Sequence, residues 1–229
     1  MFSLASHLLT AAWILGCFPM MGATPDVEHL HFNINWPSGL NLGEAQLRSV
    51  PKQGNLDMEF TIDAGVPGFA VTDRYRSSAT PAMCALEFEK DLLHGKKTVK
   101  ETTKFDAEKH VAVRETKGGG GKTEAPIGAC AKDALSFLAF IRDELSKGRV
   151  PSSQTIFFGA AYTIRVQHAG TTKVTLPEGP VEVDKLVATV KGKASDVTFE
   201  MYFAKDRART PVLVKVPLAL GIFSMELVR

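Results

Sequence analysis

The sequence predicts a mainly β protein built on a single strongly curved antiparallel sheet, half-barrel or barrel-like, of about 10–12 strands with one mid-chain α-helix. Three observations lead to this class. Apolar and polar residues alternate with a period of two over several segments, turn sequences separate these segments at strand-length intervals, and one segment alone has helical spacing. With 229 residues and 45% hydrophobic content, the chain can bury one substantial core.

Four segments carry the clearest alternation, and each places apolar side chains on one face and polar side chains on the other. This pattern is typical of half-buried antiparallel strands. The alternating apolar residues are Phe32, Ile34 and Trp36; Leu56, Met58, Phe60 and Ile62; Tyr162, Ile164 and Val166; and Val197, Phe199, Met201 and Phe203. Turn sequences rich in Gly, Pro and Asn stand at 37–39, 52–55, 66–68 and 93–96.

One segment departs from the strand pattern and predicts a helix of roughly 12 to 15 residues. Its apolar stripe at helical spacing consists of Ala134, Leu138, Ile141 and Leu145. Asp133 is a suitable N-cap, and Lys147 and Gly148 supply a basic last turn and a C-terminal cap. We expect this helix to pack on the sheet.

The N-terminus predicts export. Residues 8–21 form an apolar block that is followed by the small residues Gly22 and Ala23, as at a secretory cleavage site. We therefore divide the chain into a signal peptide, residues 1–23, and a single antiparallel β domain, residues 24–229, located in the periplasm. An alternative is a lipoprotein, because "ILGC" at 14–17 resembles a lipobox that would make Cys17 the lipid anchor.

The charge balance excludes some partners. The chain has 27 basic and 25 acidic residues, a net charge of +2, and no run of five like charges. So small an imbalance gives no electrostatic basis for binding nucleic acid. No apolar run reaches the roughly 18 residues that a transmembrane helix requires, so we predict no transmembrane span.

The stretch "ETKGGGGKTEAP", residues 115–126, resembles part of a nucleotide-binding P-loop. A Walker A loop needs glycine at its first position, which here is Thr116, and a helix that starts at the Lys-Thr pair. Pro126 follows closely, and the next residues have no helical stripe. The glycines are better explained as a flexible hairpin tip, and we predict that the protein binds no nucleotide.

No other group of residues predicts catalysis. His29 and His31 share a strand face but lack a third metal ligand at suitable spacing, and Glu87 and Glu89 alternate with apolar residues as on any solvated face. The lysines of 96–104 lie on a strand without interleaved aromatic residues. We therefore predict no catalytic, metal-binding or cofactor-binding residues, no cofactor and no enzymatic activity.

The predicted cleavage of the signal peptide determines which cysteines remain in the mature chain. Cleavage after Ala23 removes Cys17 and leaves Cys84 and Cys130. An even pair in an oxidising compartment is consistent with a disulfide, whereas two unrelated buried thiols are the alternative that spacing alone leaves open.

Five segments, with their order and spacing, resemble a known family. They are "INWPSGLNLGEAQL" (34–47), "VTDRYRSSATPAMCALEFEKDLLHGKK" (71–97), "TTKFDAEKHVAV" (102–113), "IGACAKDALSFLAFIRD" (127–143) and "PVLVKVPLALGIFSMELV" (211–228). The chain resembles the bacterial exported family of domain of unknown function 3108. It departs from the family pattern at His94, where an acid is usual, and at Gly128 and Ala129, where two prolines are usual.

The resemblance implies an antiparallel, strongly curved sheet with one helix, broadly similar to periplasmic lipoprotein carriers. It implies no catalytic residues, and it favours a disulfide because Cys84 and Cys130 both fall at matching positions. Two functions follow as expectations. The first is a non-catalytic envelope protein that binds an apolar small molecule, a lipid or a lipidated partner in the concavity of its sheet, with ligand-binding residues unknown. The second is a structural or adaptor module that binds another envelope protein through a sheet face or edge.

Overall fold

A computed structural model describes residues 27–66, 68–192, 196–219 and 221–228. These residues form one sheet of 15 strands and one helix. The predicted signal peptide, residues 1–23, and the candidate lipidation site Cys17 lie outside the described residues. The mainly β class with a single helix is confirmed.

The strands divide into two groups around the helix. The first group is β1 (Glu28–Asn35), β2 (Asn41–Lys52), β3 (Asn55–Val66), β4 (Phe69–Ala79), β5 (Ala85–His94), β6 (Lys97–Asp106), β7 (Val111–Thr116), β8 (Gly121–Pro126) and β9 (Lys132–Asp133). The helix is α1 (Ala134–Ser146). The second group is β10 (Gln154–Phe157), β11 (Ala161–Leu176), β12 (Gly179–Lys191), β13 (Asp196–Ala204), β14 (Pro211–Leu218) and β15 (Gly221–Val228).

Almost every strand pairs with its neighbour in sequence. The order is β8-β7-β6-β5-β4-β3-β2-β1-β15-β14-β13-β12-β11-β10-β9, and the sheet does not close into a barrel. All neighbours are antiparallel except β9 and β10. The predicted strand number is lower than 15, and two of the missing strands are β9 and β10, whose 2 and 4 residues are too few for alternation to mark them.

The hairpins give the sheet two different ends. The turns β1–β2, β3–β4, β5–β6, β7–β8, β12–β13 and β14–β15 all lie at one end, which we call the tip end. The turns β2–β3, β4–β5, β6–β7 and β13–β14 lie at the opposite end, which we call the groove end. The four predicted turn sequences all fall at hairpin turns: 37–39, 66–68 and 93–96 at the tip end, and 52–55 at the groove end.

Helix α1 packs on one face of the sheet, which we call the inner face. Its predicted N-cap is confirmed at Asp133, and Lys147 is its C-cap, followed by Gly148 with φ 71°. The buried side of α1 is wider than the predicted stripe, because α1 contributes to two apolar clusters. One contains Leu135 with residues of β1–β5, and the other contains Phe137 and residues of β10–β13.

The glycine-rich segment forms the tip of the β7–β8 hairpin, as predicted. Thr116 pairs with Gly121 across the turn, and Lys122 continues as a strand residue opposite Glu115. Gly118 and Gly119 have φ values of 81° and 94°, a conformation that glycine adopts without strain. Because no helix begins at Lys122, the converging amides of a phosphate-binding loop do not form here.

Candidate functional site

A groove remains open at the groove end of the inner face, between α1 and strands β2 and β3. It has a volume of about 290 Å³. Its apolar floor consists of Leu47, Leu56, Met58, Leu135, Leu138 and Ala139. Its mouth is polar and includes Glu28, Arg142 and Arg207. An apolar floor with a few charged groups at the mouth is the usual composition of a ligand site, although this volume is at the small end of the range.

An ion pair crosses the mouth of this groove. Arg142 of α1 donates to both carboxylate oxygens of Glu28 at 2.7 and 2.6 Å, and its Nε donates to the carbonyl of Ala208 at 3.0 Å. The two side chains are 14% and 25% exposed, so solvent screens this bidentate pair less than an open surface pair. The pair therefore fixes α1 against β1 and leaves the guanidinium beside the opening.

The start of α1 is held by a fully buried carboxylate. Asp133 Oδ1 accepts from the backbone N–H groups of Leu135 and Ser136 at 2.7 and 3.0 Å. Its Oδ2 accepts from Ser136 Oγ at 3.0 Å and from Ser77 Oγ of β4 at 2.7 Å. This capping box satisfies amides that the first turn of a helix leaves free, and the bond from Ser77 ties the cap to the sheet.

Burial raises the pKa of the Asp133 carboxyl above its ordinary value, and the hydrogen bonds from Ser77, Ser136 and Leu135 oppose that rise. Burial also lowers the pKa of the neighbouring Lys132. The Lys132 ammonium lies 4.5 Å from the centre of the Phe140 ring, which stabilises the cation where water is scarce.

The predicted disulfide lies directly before this cap. Cys84 and Cys130 are joined, with Cα atoms 4.7 Å apart, and they link residues 46 apart in sequence. The Ala85 N–H also donates to the Ala131 carbonyl at 2.8 Å. The segment that leads into α1 is thus attached to β5 by a covalent bond and a hydrogen bond, which positions the groove's helical wall.

A second buried polar group lies on the inner face near the β10–β11 turn. The Lys90 ammonium and Glu101 Oε2 are 2.7 Å apart, with side chains only 11% and 12% exposed, and the contact is an ion pair rather than a directed hydrogen bond. Phe158 covers Lys90, with its ring centre 5.1 Å from the ammonium, and Arg114 donates to the Gly159 carbonyl. A turn from the second half of the sheet therefore closes over charges from the first half.

Beside this ion pair lies a chain of three polar side chains. Tyr75 donates to Asp73 at 3.0 Å, and His94 Nε2 lies 2.9 Å from the other oxygen of Asp73. Burial, followed by the nearby charge of Asp73 and its hydrogen bond, raises the pKa of the Tyr75 hydroxyl. The Tyr75 ring packs against Phe158 with ring centres 5.3 Å apart, so the Tyr75 end of this chain is covered, whereas the His94 side chain is 45% exposed.

The residues considered for chemistry in the sequence occupy the solvated strands. His29 and His31 contact each other with ring centres 4.5 Å apart, and His29 lies 3.2 Å from the Gln46 side chain. Glu89 accepts from Arg76 at 3.1 Å, and Glu87 lies 4.0 Å from the Lys104 ammonium. Within the described ranges, no group of three or more His, Cys, Asp or Glu could hold a metal ion.

A larger depression, about 630 Å³, lies on the outer face of β2–β5. Arg76 lies in this depression and donates to Glu59 at 2.9 Å and to Glu89 at 3.1 Å. The charges of these three residues are therefore already paired with one another across the strands. We favour the smaller groove as the candidate site because its floor is apolar. No helix of the described residues is long and apolar enough to cross a membrane.

Sequence reasoning did not identify the groove or the Lys90–Glu101 pair. The groove depends on where α1 crosses the sheet, which alternation does not determine. In the sequence, Glu101 lies among lysines and threonines, a composition typical of a solvated strand, yet its side of β6 faces inward. Lys90 and Glu101 lie directly opposite each other on β5 and β6, and their opposite charges would have suggested an ion pair. This pairing is known only once the register of the two strands is known.

The fold and site together define the class: a β protein with one open sheet, a disulfide-anchored helix and a small apolar groove. Residues 30–228 match the family described as "Protein of unknown function (DUF3108)". The chain belongs to this family, as its resemblance implied. No curated protein matches the chain.

Two solved structures align along most of the chain. One is a predicted exported protein with a YmcC-like fold from Bacteroides fragilis, at 12% identity, covering 87% of this chain and 92% of that one, with a TM-score of 0.33. The other is a predicted lipoprotein from Parabacteroides distasonis, at 8% identity, covering 89% and 94%, with a TM-score of 0.32.

Proposed function

We propose that the protein is a non-catalytic envelope protein that binds an unbranched apolar chain in the groove between α1 and β2–β3. The observation that supports this most is the apolar floor of the groove, left unfilled on an inner face that is otherwise packed. Burying each methylene of a ligand there contributes about 0.8 kcal/mol, so a longer chain offsets the entropic cost of association better than a short one.

The charges at the mouth fit the polar end of such a ligand. Arg142 already holds the Glu28 carboxylate, and Arg207 lies beside the same opening. A carboxylate or phosphate at the end of an apolar chain would meet the Arg207 guanidinium there, beside the Arg142–Glu28 pair and the Asp143 carboxylate. The same apolar chain could come from a free lipid or from the acyl group of a lipidated protein.

Displacement of a dansylated undecanoic acid probe tests the proposal. We expect the probe to bind the wild-type protein with enhanced fluorescence, and palmitate or a palmitoylated peptide to displace it. Preference for the peptide would identify a lipidated partner as the source of the chain, and preference for palmitate would identify a free lipid.

Filling the groove provides the matched comparison. Ala139→Phe places a ring on the groove floor, whereas Ala161→Phe adds the same ring at an exposed position outside the groove. We expect Ala139→Phe to weaken probe binding at least tenfold, or about 1.4 kcal/mol, and Ala161→Phe to leave it unchanged. Equal binding by both variants, with unchanged unfolding midpoints, would refute the groove as the site.

The alternative function, an adaptor that binds another envelope protein through a sheet edge, is favoured by β8. Five of its six residues are exposed, and within the described part of the chain it pairs only with β7. An open strand edge can accept a strand from another protein. Thr123→Pro on this strand should abolish partner capture in envelope crosslinking and leave probe binding intact if the adaptor function operates.

A further inference from the structure

We propose that the tip end of the sheet docks onto an anionic bilayer surface. Large apolar side chains are exposed at seven positions there, and we call this set the tip rim. It consists of Leu40, Val66, Phe69, Leu93, Val197, Leu218 and Ile222, each at least 36% exposed. The other exposed large apolar residues, Val27, Leu86 and Val150, lie elsewhere.

The strand order makes the tip rim continuous. Its residues belong to β5, β4, β3, the β1–β2 turn, β15, β14 and β13, which are consecutive in the sheet. At about 4.8 Å per strand, the eight strands from β5 to β13 extend the rim over roughly 34 Å. Single exposed apolar residues are ordinary, but a row of this length at one end needs an explanation.

The turns at the centre of the tip end are uncharged, and those on either side of them are basic. The three central turns have the sequences "WPSGL" (36–40), "VPGF" (66–69) and "LALG" (218–221), none of which contains a charged residue. Exposed lysines flank them on both sides. Lys96, Lys97 and Lys117 lie on the β5–β6 and β7–β8 hairpins, and Lys191 lies at the end of β12.

Among the described residues at the ends of the tip-end turns, Asp196 is the one acidic residue, against these four lysines. An apolar centre between basic flanks complements a surface with an apolar interior and anionic headgroups. Hairpin tips also suit such insertion because their backbone groups are already hydrogen-bonded, as in Gly39 N–H to Trp36 carbonyl at 2.8 Å.

Contacts between neighbouring turns hold the tip rim together. A Cβ at Gly95 would lie 3.2 Å from the Phe69 ring, and one at Gly221 would lie 2.6 Å from Pro37. Trp36 packs edge-on against Phe223, with ring centres 4.9 Å apart. The half-buried Trp36 resembles the aromatic residues that sit at headgroup level in membrane interfaces.

Separate projecting turns favour a bilayer over a protein partner. Each apolar tip can enter the interface without a matching cavity on the other side, whereas a protein interface requires close shape complementarity. The tip end is also distinct from the groove, which opens at the opposite end of the sheet. The membrane proposal therefore stands or falls independently of ligand binding in the groove.

Trp36 provides a site-specific test. The chain has two tryptophans, Trp13 and Trp36, so in full-length protein with Trp13→Phe all tryptophan fluorescence comes from Trp36. Every variant below carries this substitution, and residues 1–26 are otherwise the same in all of them. Vesicles of phosphatidylglycerol containing brominated lipid should quench Trp36 and shift its emission to the blue. Phosphatidylcholine vesicles should bind at least tenfold more weakly, and salt should weaken the phosphatidylglycerol interaction.

Matched variants assign the effect to the tip rim. Leu40→Ser/Phe69→Ser/Leu218→Ser should lower vesicle affinity at least tenfold, and Lys96→Glu/Lys117→Glu should lower it by about the same factor. The control Val27→Ser/Leu86→Ser/Val150→Ser removes comparably exposed apolar residues elsewhere and should stay within twofold of the background.

Quenching of Trp36 that the rim variants leave unchanged would overturn the proposal. So would equal losses in the rim and control variants. Absence of Trp36 quenching with every vesicle composition would also overturn it and would leave the tip rim to a protein partner. Because all substituted positions are exposed, the variants should keep the wild-type unfolding midpoint.

Discussion

The two ends of the sheet are stabilised in different ways. At the groove end, a disulfide, a buried capping box and the Arg142–Glu28 pair connect α1 to several strands. At the tip end, short hairpins turn back on themselves and contact neighbouring turns and strands. The groove end therefore depends on links between residues distant in sequence, whereas the tip end depends on local turn conformation.

This difference indicates where substitutions should lower the stability of the fold most. Removing one long-range link at the groove end frees α1 from the sheet and exposes the apolar clusters beneath it. Changing one hairpin at the tip end alters a structure that each turn forms largely alone. We expect stability to fall steeply for the first kind of change and slightly for the second.

The largest effect should follow loss of the disulfide. Cys84→Ala/Cys130→Ala releases a loop of 46 residues, which on the chain-entropy model lowers the free energy of unfolding by about 4 kcal/mol. Urea unfolding with and without reductant measures it. The wild type in reductant should resemble the double variant, and two reactive thiols per chain in unreduced exported protein would contradict the disulfide.

Next in size should be the loss of the buried cap. Asp133→Ala leaves two helix amides and the hydroxyls of Ser77 and Ser136 without their acceptor, and we expect a loss of about 3 kcal/mol. Asp133→Asn keeps an acceptor for the amides and should retain most of the stability. Equal urea midpoints for the Ala and Asn variants would show that the side-chain oxygens do not hold α1.

The difference in stability between the wild type and Asp133→Asn should depend on pH. The folded-state pKa of Asp133 is raised, so on acidification the folded state takes up a proton before the unfolded state does. The penalty of the buried charge is full above the folded pKa, and it disappears as the pH falls toward the unfolded value of about 3.9. Wild type should therefore gain stability relative to Asp133→Asn as the pH falls through the raised folded-state pKa toward about 4.

An intermediate effect is expected at Gly159, in the β10–β11 turn that reaches across to the other half of the sheet. Its φ is 79°, and a Cβ there would lie 2.5 Å from the Lys90 ammonium and 2.9 Å from Glu101. Gly159→Ala should lower the free energy of unfolding by about 2 kcal/mol through backbone strain and displacement of the ion pair. The control Gly118→Ala meets the same kind of positive φ in open space, so the difference between the two isolates the contact with the pair.

The smallest effect should follow shortening of the glycine-rich tip. Replacing the four-residue loop 117–120 by Asn-Gly gives a two-residue turn that keeps Thr116 opposite Gly121, and it should change stability by no more than about 0.5 kcal/mol. Calorimetric titration with ATP should show no binding to the wild type. Micromolar affinity that Lys122→Ala abolishes would contradict the hairpin interpretation.

The sequence allowed the fold class, the helix and most turns to be predicted, because each depends on local pattern. Asp133 is recognisable as an N-cap from its place before the helical stripe, and 66–68 is recognisable as a turn from its Pro and Gly. The groove was not predictable, because Leu47 and Leu138 are brought together only by the path of α1 across the sheet. The inward side of β6 was missed because polar residues occupy both of its faces, as Thr103 and Lys104 illustrate.

The tip rim was also missed, for a related reason. Val66 and Leu93 fall within predicted turn sequences and Val197 begins an apolar alternation, so no local pattern groups these residues into one surface. Their common exposure follows from the antiparallel order, which brings successive turns to one end. Local pattern therefore predicts which residues form strands, whereas register and strand order determine which surfaces they share.

The pairing of β1 with β15 has a further consequence for how the molecule assembles. In the described chain it is the one hydrogen-bonded ladder that joins β1–β8 to β10–β15, since each of these groups is otherwise a succession of nearest neighbours. Each half can thus form by short loop closures, which are fast, while the union of the halves awaits one slow long-range encounter. Folding should accordingly show two early local phases and one late step whose rate is sensitive to substitutions at Phe32 and Leu227, which face each other across that junction.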